Sequence, residues 1–212
     1  MKDKLYSQII GSTDKEIIIF LHGIGTASWS WWQQVEYFQE KYSILLVDLP
    51  GHGESAHIPW KDLNQVADLV AETIPKNKVV HVVGLSLGGH VALALAKKYP
   101  HKIKSAYISG ITTKPMGPKI FKVFLPMYLR QQEKLQKNDK KLRKLFEEMG
   151  LPQEKIADSI KEYKKVPIDT FRAVFHDLYS FKLDYSYRKM RLPIMFVAGE
   201  YEGRDVRDTL RY

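Results

Sequence analysis

The hydrophobic positions of this chain fall into short unbroken runs separated by stretches of helical spacing. Glu16-Ile17-Ile18-Ile19-Phe20-Leu21, Ser43 to Val47, Val79 to Val83 and Ile103 to Ser109 read as strands. The continuous apolar run at Glu16 to Leu21 marks a strand covered on both faces. Leu5 to Ile10 alternates loosely and predicts a short edge strand, closed by a Gly11-Ser12-Thr13-Asp14 turn. Trp29, Trp32, Val35 and Phe38 predict a helix within 27–42, packed on the sheet and capped by Ser28 or Ser30. Leu63, Val66, Ala67, Val70 and Ile74 predict a second helix ended by Pro75, and Val91 to Ala96 a third. Strands alternating with helices predict a mostly parallel α/β sheet.

Residues 111–190 break that rhythm. Apolar residues recur at helical spacing, as in Ile120, Phe121, Phe124, Leu125, Met127 and Tyr128, or Leu142, Leu145, Phe146 and Met149, with no convincing strand. Gly150-Leu151-Pro152 and Val166-Pro167 punctuate the run. Leu192 to Gly199 then returns as one more buried strand. The expected organisation is therefore a core from 1–110, a helical cap over 111–190, and the core continued over 191–212.

Composition narrows the picture further. At 212 residues and 44% hydrophobic content, the chain suits one domain carrying an insertion. With no cysteine, disulfides, thiol catalysis and thiolate metal sites are excluded. Met1 to Gln8 carries charge but no apolar h-region, and no run approaches the length of a membrane span, so a cytoplasmic location is expected. The net charge is +9, and 18 of the 33 Lys and Arg but only 10 of the 24 Asp and Glu lie between Ile111 and Met190. That leaves 15 against 14 elsewhere, so the basic excess belongs to the helical segment. Lys134, Lys137, Lys140, Lys141, Arg143 and Lys144 cluster there, yet Leu142, Leu145 and Phe146 interleave as an ordinary buried face. We read a solvated helix surface, with no nucleic-acid partner. The scattered histidines show no H-E-x-x-H spacing, and Gly23-Ile24-Gly25 lacks the third glycine of a dinucleotide fingerprint. No metal or cofactor is expected.

The candidate chemistry lies in Gly84-Leu85-Ser86-Leu87-Gly88, between an apolar β-run and an alanine-rich helix pattern. A serine hydroxyl is a poor nucleophile unless it is held exposed where backbone N–H groups receive the charge developing on an attacked carbonyl oxygen. Glycines at 84 and 88 let strained backbone at Ser86 pack closely on its neighbours, and Leu87 offers its N–H at the helix start. His22-Gly23-Ile24-Gly25 follows a buried strand, and its glycines let the chain turn so that the Ile24 N–H serves as a second oxyanion donor. The alternative is a glycine-rich turn that merely packs tightly.

These residues resemble the α/β-hydrolase superfamily. The likeness consists of the His22-Gly23-Ile24-Gly25 turn, the Asp48-Leu49-Pro50-Gly51-His52-Gly53-Glu54-Ser55 loop, the Gly84-to-Gly88 elbow, the helical cap and the Ile194-to-Glu202 strand end, together spanning 16–202. It implies a Ser-acid-His triad in that chain order and hydrolysis of esters, thioesters, amides or activated C–C bonds through an acyl-enzyme. Ser86 is then the nucleophile, with the Ile24 and Leu87 N–H groups as the oxyanion hole. The acid follows the strand at the position of Glu202, with Glu200 and Asp205 as alternatives. The family's base histidine comes after the acid, whereas this sequence has none beyond His176, so we expect a hydrolase cut short before its last strand, with activity impaired. His22, His52, His57, His81, His90 and His101 each fit a structural place, and His176, in the helical segment, is the first to test as a substitute. Competing with this reading is a catalytically silent domain that keeps the ligand pocket. Unpaired edge groups along Ile194 to Val197 also predict self-association.

Overall fold

A computed structural model describes residues 4–12, 14–113 and 115–211, without the side chains of Arg188, Leu210 and Arg211. Met1 to Asp3 of the charged start, Thr13 of the expected first turn, and Tyr212 lie outside the described residues. Six strands form one sheet: β1 (Ser7–Ile10), β2 (Ile17–Leu21), β3 (Ser43–Val47), β4 (Val80–Leu85), β5 (Ile103–Ser109) and β6 (Ile194–Val197), in the order β1-β3-β2-β4-β5-β6. Among the described residues only β1 runs antiparallel, with Ser7 opposite Val47; the other pairings are parallel. The expected mostly parallel α/β sheet is what forms.

Its central strands β2 and β3 are almost wholly apolar because helices cover both faces. Every residue of β2 and β3 is buried. Ile18, Phe20, Ile44 and Leu46 turn to one side, where they meet Trp31 and the helix α1 (Trp32–Phe38). Ile17, Ile19, Leu21, Leu45 and Val47 turn to the other, against α2 (Leu63–Thr73) and α3 (Leu87–Lys98). The alternation is the period-two geometry of a strand, so each residue in the run has its own apolar layer.

Two expectations need correction. The helix expected within 27–42 begins as a 3-10 turn, Ser28–Trp31, and neither serine caps it. The Ser28 N–H and hydroxyl instead go to the buried Asp48 carboxylate, and Ser30 Oγ donates to the Ala27 carbonyl at 2.8 Å. Trp31 therefore enters the core, while Trp29 and Trp32 stay half-buried, Trp29 lying edge-on to Phe146. The second correction concerns β6, which sits at the sheet edge beside β5 and is only half-covered; Met195 is 60% exposed.

Between β5 and β6 come α4 (Pro118–Gln136), α5 (Asp139–Glu148), α6 (Gln153–Lys165), α7 (Ile168–Leu178) and the short α8 (Tyr185–Arg188). A second apolar cluster of Phe121, Leu125, Leu142, Phe146, Ile160 and Phe171 holds the four longer helices together. On α5, Lys140, Lys141, Arg143 and Lys144 are exposed while Leu142 and Phe146 are buried, the division expected of an amphipathic helix. The helices are pinned to the sheet at named points. Thr170 lies against Gly51, where an added Cβ would be 2.4 Å from its side chain. Asp177 of α7 accepts hydrogen bonds from Trp60 Nε1 at 3.2 Å and from the Leu63 N–H at 2.7 Å.

Burial raises the Asp177 carboxyl above its ordinary range, against the lowering effect of the Trp60 and Leu63 donors. A carboxyl raised on folding contributes stability below its unfolded pKa and loses it as pH rises through the folded value. Asp177→Asn keeps an acceptor oxygen for both donors but does not titrate. In thermal melts it should match wild type near pH 3 and gain on it by about pH 7. A difference that does not change with pH would contradict the assignment.

Candidate active site

β4 ends at Leu85, α3 begins at Leu87, and Ser86 bridges them at φ 52°, ψ −111°. Among the described residues, only Asn77 and Ser86 have positive φ without being glycine. Such backbone costs on the order of 1–3 kcal/mol and persists only where its surroundings fix it. Here the Ser86 N–H donates to the Ser109 carbonyl at 2.8 Å, and the Gly88 N–H donates to the His22 carbonyl at 3.0 Å. A Cβ on Gly84 would stand 2.3 Å from the Gly88 carbonyl oxygen, and one on Gly88 would stand 2.0 Å from that of Leu21. Both obstacles are backbone, so glycine is required at both positions. Ser86 itself is partly exposed.

The turn after β2 lies beside the elbow. A Cβ built on Gly23 would be 3.8 Å from Ser86 Cβ. Its conformation is held through the Gly23 carbonyl, which accepts from Thr26 Oγ1 at 2.9 Å and from His22 Nδ1 at 2.8 Å. His22 Nε2 accepts the Leu49 N–H at 3.0 Å, which places the ring proton on Nδ1. Gly25, at φ +77°, leaves room for Tyr163, whose Cε2 is 2.9 Å from where a Cβ would be. Tyr163 is fixed in turn by its hydroxyl, which donates to Gln132. Among the described residues, neither the Ile24 nor the Leu87 N–H has an acceptor within the chain.

Ser86, Ile24 and Leu87 open into a cavity of about 480 Å³. Its remaining wall is mostly apolar and comes from the inserted helices: Ile120, Phe121, Val174, Phe175, Leu178 and Tyr179, with Met116 ahead of α4. The polar lining is His90, Thr112 and Asp205. A larger open cleft of about 760 Å³, between β1, α1 and α6, shares none of these residues.

Glu202 is brought to the carboxyl ends of β5 and β6. Its Oε2 accepts the Gly199 N–H at 2.7 Å, and its Oε1 is 3.2 Å from the Cβ position of Gly110. That same position is 3.8 Å from the Ser86 nitrogen, so the carboxylate stands next to the elbow without lining the cavity. Asp205 does line it, in the first turn of α9 (Arg204–Arg207). The spacing of Asp205 three residues after Glu202, beyond Gly203, is the signal that both belong to one strand end. Glu200 is exposed and offers its carbonyl to Arg207. Sequence reasoning missed Asp48, whose carboxylate accepts the N–H groups of Ser28 at 2.8 Å and Glu54 at 3.0 Å and so ties two loops beneath the site.

Among the described residues, no histidine nitrogen is hydrogen-bonded to Ser86 Oγ. His90 is the nearest in contact: its ring nitrogens lie 3.1 Å from the Ser86 carbonyl and 3.2 Å from that of Thr112, edge-on to Phe181, and burial lowers its pKa. His176 is exposed against Phe121. His81 pairs with Ser105 and faces Glu16, while His57 and His101 are exposed.

The family model for the alpha/beta hydrolase fold matches residues 16–139, well over half of the chain and including both turns around Ser86. The chain belongs to the α/β-hydrolase fold family. Among curated relatives, this hydrolase-fold chain is 33% identical over 119 residues to an AB hydrolase superfamily protein of Gibberella zeae, covering 54% of this chain and 41% of that protein. It is 34% identical over 119 residues to a pimeloyl-[acyl-carrier protein] methyl ester esterase of Vibrio atlanticus, covering 56% and 43%. The matched segments thus span about two fifths of those relatives' own length. A solved hydrolase from Pseudomonas aeruginosa superposes with a TM-score of 0.77 at 20% identity, covering 95% of this chain and 78% of that one. An esterase from Thermogutta terrifontis gives 0.73 at 19%, covering 98% and 79%. At these identities the structures speak for the fold.

Burial drives His22 down to about 4 and His52, with the His22 ring beside it, to about 3. Both are neutral in the fold and titrate near their ordinary value once unfolded. Their contribution to stability is therefore complete above about pH 6.5 and is lost as pH falls toward the folded values. Urea unfolding should weaken steadily from about pH 6.5 to 4.5, and His52→Asn should remove part of that slope. Stability that stays flat across this window would show that the two rings are not buried as neutral groups.

Proposed function

We propose that this chain is a serine hydrolase acting on a carboxylic ester, thioester or similar acyl substrate through an acyl-enzyme at Ser86. The observation that carries the reading is a strained, partly exposed serine that lines an apolar cavity together with Ile24 and Leu87, whose N–H groups have no acceptor among the described residues. Ser86 Oγ attacks the substrate carbonyl carbon. The carbonyl oxygen takes the negative charge and receives hydrogen bonds from Ile24 and Leu87. The Ser86 proton passes to hydroxide or water, and collapse of this intermediate breaks the bond to the alkoxide or thiolate, which takes a proton from water; a second water then attacks the acyl-enzyme, releases the acid and restores the hydroxyl. Glu202 is the acid member of the site, supported by its place beside Gly110 and the elbow. The esterase named among the relatives of similar sequence supports an ester-type bond.

In this reading residues 111–190 act as a lid, because the cavity wall over Ser86 comes from α4 and α7. The sheet with its flanking helices, 1–110 and 191–212, is the catalytic core. We also read the chain as a slow catalyst by itself. Ser86 lacks a hydrogen-bonded histidine among the described residues, and an oxyanion hole with binding alone sustains a residual of roughly 10³–10⁴ over water. The same observation favours a second reading, a ligand-binding domain that keeps the pocket and does no chemistry. The charged amino-terminal segment and the absence of cysteine fit a cytoplasmic setting, and the half-covered β6 edge fits self-association.

The test combines an activated alkylphosphonate, followed by intact mass, with turnover of a p-nitrophenyl ester. We expect one adduct per chain at Ser86, none in Ser86→Ala, and a hydrolysis rate that rises with hydroxide without a plateau near pH 6.5. A normal turnover with such a plateau would give the base to one of the seven histidines. Absence of any adduct would establish the silent-domain reading, and a greater loss in Asp205→Asn than in Glu202→Gln would move the acid role to Asp205.

A further inference from the structure

Helix α4 carries two apolar faces. Phe121, Leu125 and Leu129 recur every four residues and are buried in the cluster that holds the cap helices together. Ile120, Val123 and Met127 recur at i, i+3 and i+7, which places them along one line of the helix, on the side opposite the buried row. They are 65%, 73% and 63% exposed. Packing of the cap uses the first face alone, so folding does not account for the second. Single exposed apolar residues need no explanation, but an aligned row of three on one helix does.

The surroundings of the row identify what it meets. Lys119, Lys122, Arg130 and Lys134 are exposed on the same helix, with Glu133 as its one acidic residue. Apolar side chains bordered by lysine and arginine are the composition of a helix lying in the boundary between anionic headgroups and acyl chains. A second copy of the chain would suit this face poorly, since a two-fold contact through it would set the same cations against themselves. No helix among the described residues is long and apolar enough to cross a membrane, so the contact is one of lying on a surface. The row also borders the mouth of the Ser86 cavity, because Ile120 both lines that cavity and is exposed outside it.

We propose that this outer face of α4 docks the protein on an anionic lipid bilayer, with Ile120, Val123 and Met127 entering the acyl boundary and Lys119, Lys122 and Arg130 meeting the phosphates. The inference goes beyond the acyl-transfer reading and does not depend on it, since docking requires no reaction at Ser86. Flotation of the full chain with vesicles tests it. At about 0.15 M salt, where surface charge is already screened beyond about 8 Å, wild type should float with phosphatidylcholine vesicles containing phosphatidylglycerol and stay largely behind with phosphatidylcholine alone. Val123→Ser with Met127→Ser, two exposed side chains outside the cavity lining, should lower the partition coefficient at least tenfold with an unchanged melting temperature. Lys122→Glu with Arg130→Glu should lower it similarly. Failure to float with the anionic vesicles would overturn the proposal. So would equal partitioning of the serine variant and wild type, which would assign binding to net charge alone. Retention by an acidic protein in place of vesicles would overturn it too, and identify the face as a protein interface.

Discussion

Everything at the candidate site depends on how closely α3 approaches the ends of β2 and β4. Gly84 and Gly88 let the helix backbone settle directly on the backbone of Leu21 and His22, at distances no side chain would permit. That approach fixes the ends of the Ser86 peptide and holds the residue at positive φ. It also brings the turn after β2 close to Ser86, and Ile24 and Leu87 line one cavity with it. Strain at one residue is sustained by the burial of its neighbours: Leu87 through Ala96 are all buried, and β2 is buried throughout. The helix packing supplies the stability, and the serine keeps the strained geometry.

The cap adds a second layer of constraint. Tyr163 rests on Gly25 and Thr170 on Gly51, both glycines at positive φ in turns at the carboxyl ends of strands. The inserted helices therefore press on the turns at the strand ends as well as lining the cavity. Buried neutral histidines serve the same end from below, since His22 joins the Gly23 carbonyl to the Leu49 N–H across two loops. Asp48 adds a charged tie between the segments at Ser28 and Glu54. Loops assembled in this way are rigid for a reason visible in their hydrogen bonds.

Much of this was legible in the sequence, for identifiable reasons. Ile17 to Leu21 and Ser43 to Val47 announce central strands because parallel sheets covered on both faces need every side chain apolar. Gly84-Leu85-Ser86-Leu87-Gly88 announces an elbow because few backbones require glycine at that spacing between a strand and a helix. The departures arose where long-range contacts decide. Ser28 looks like a helix cap until Asp48, twenty residues away in sequence, takes both its donors. The run at Ile194 to Val197 has the composition of a buried strand, but its burial depends on what lies beyond the sheet edge. Asp205 enters the cavity only because a short helix follows Gly203. Ile120 and Met127 stand in the same helical pattern as Phe121 and Leu125, and only the packing of α4 shows which of its two apolar faces is covered.

The central claim of the proposed function is geometric: the N–H groups of Ile24 and Leu87 would receive the charge that develops during attack by Ser86. A crystal structure of the Ser86 alkylphosphonate adduct tests it most directly. The account predicts one phosphoryl oxygen held at about 2.7–3.1 Å from both nitrogens, with the alkyl chain lying among the cap side chains of the cavity. A phosphoryl oxygen turned to solvent, or bonded to neither nitrogen, would contradict it.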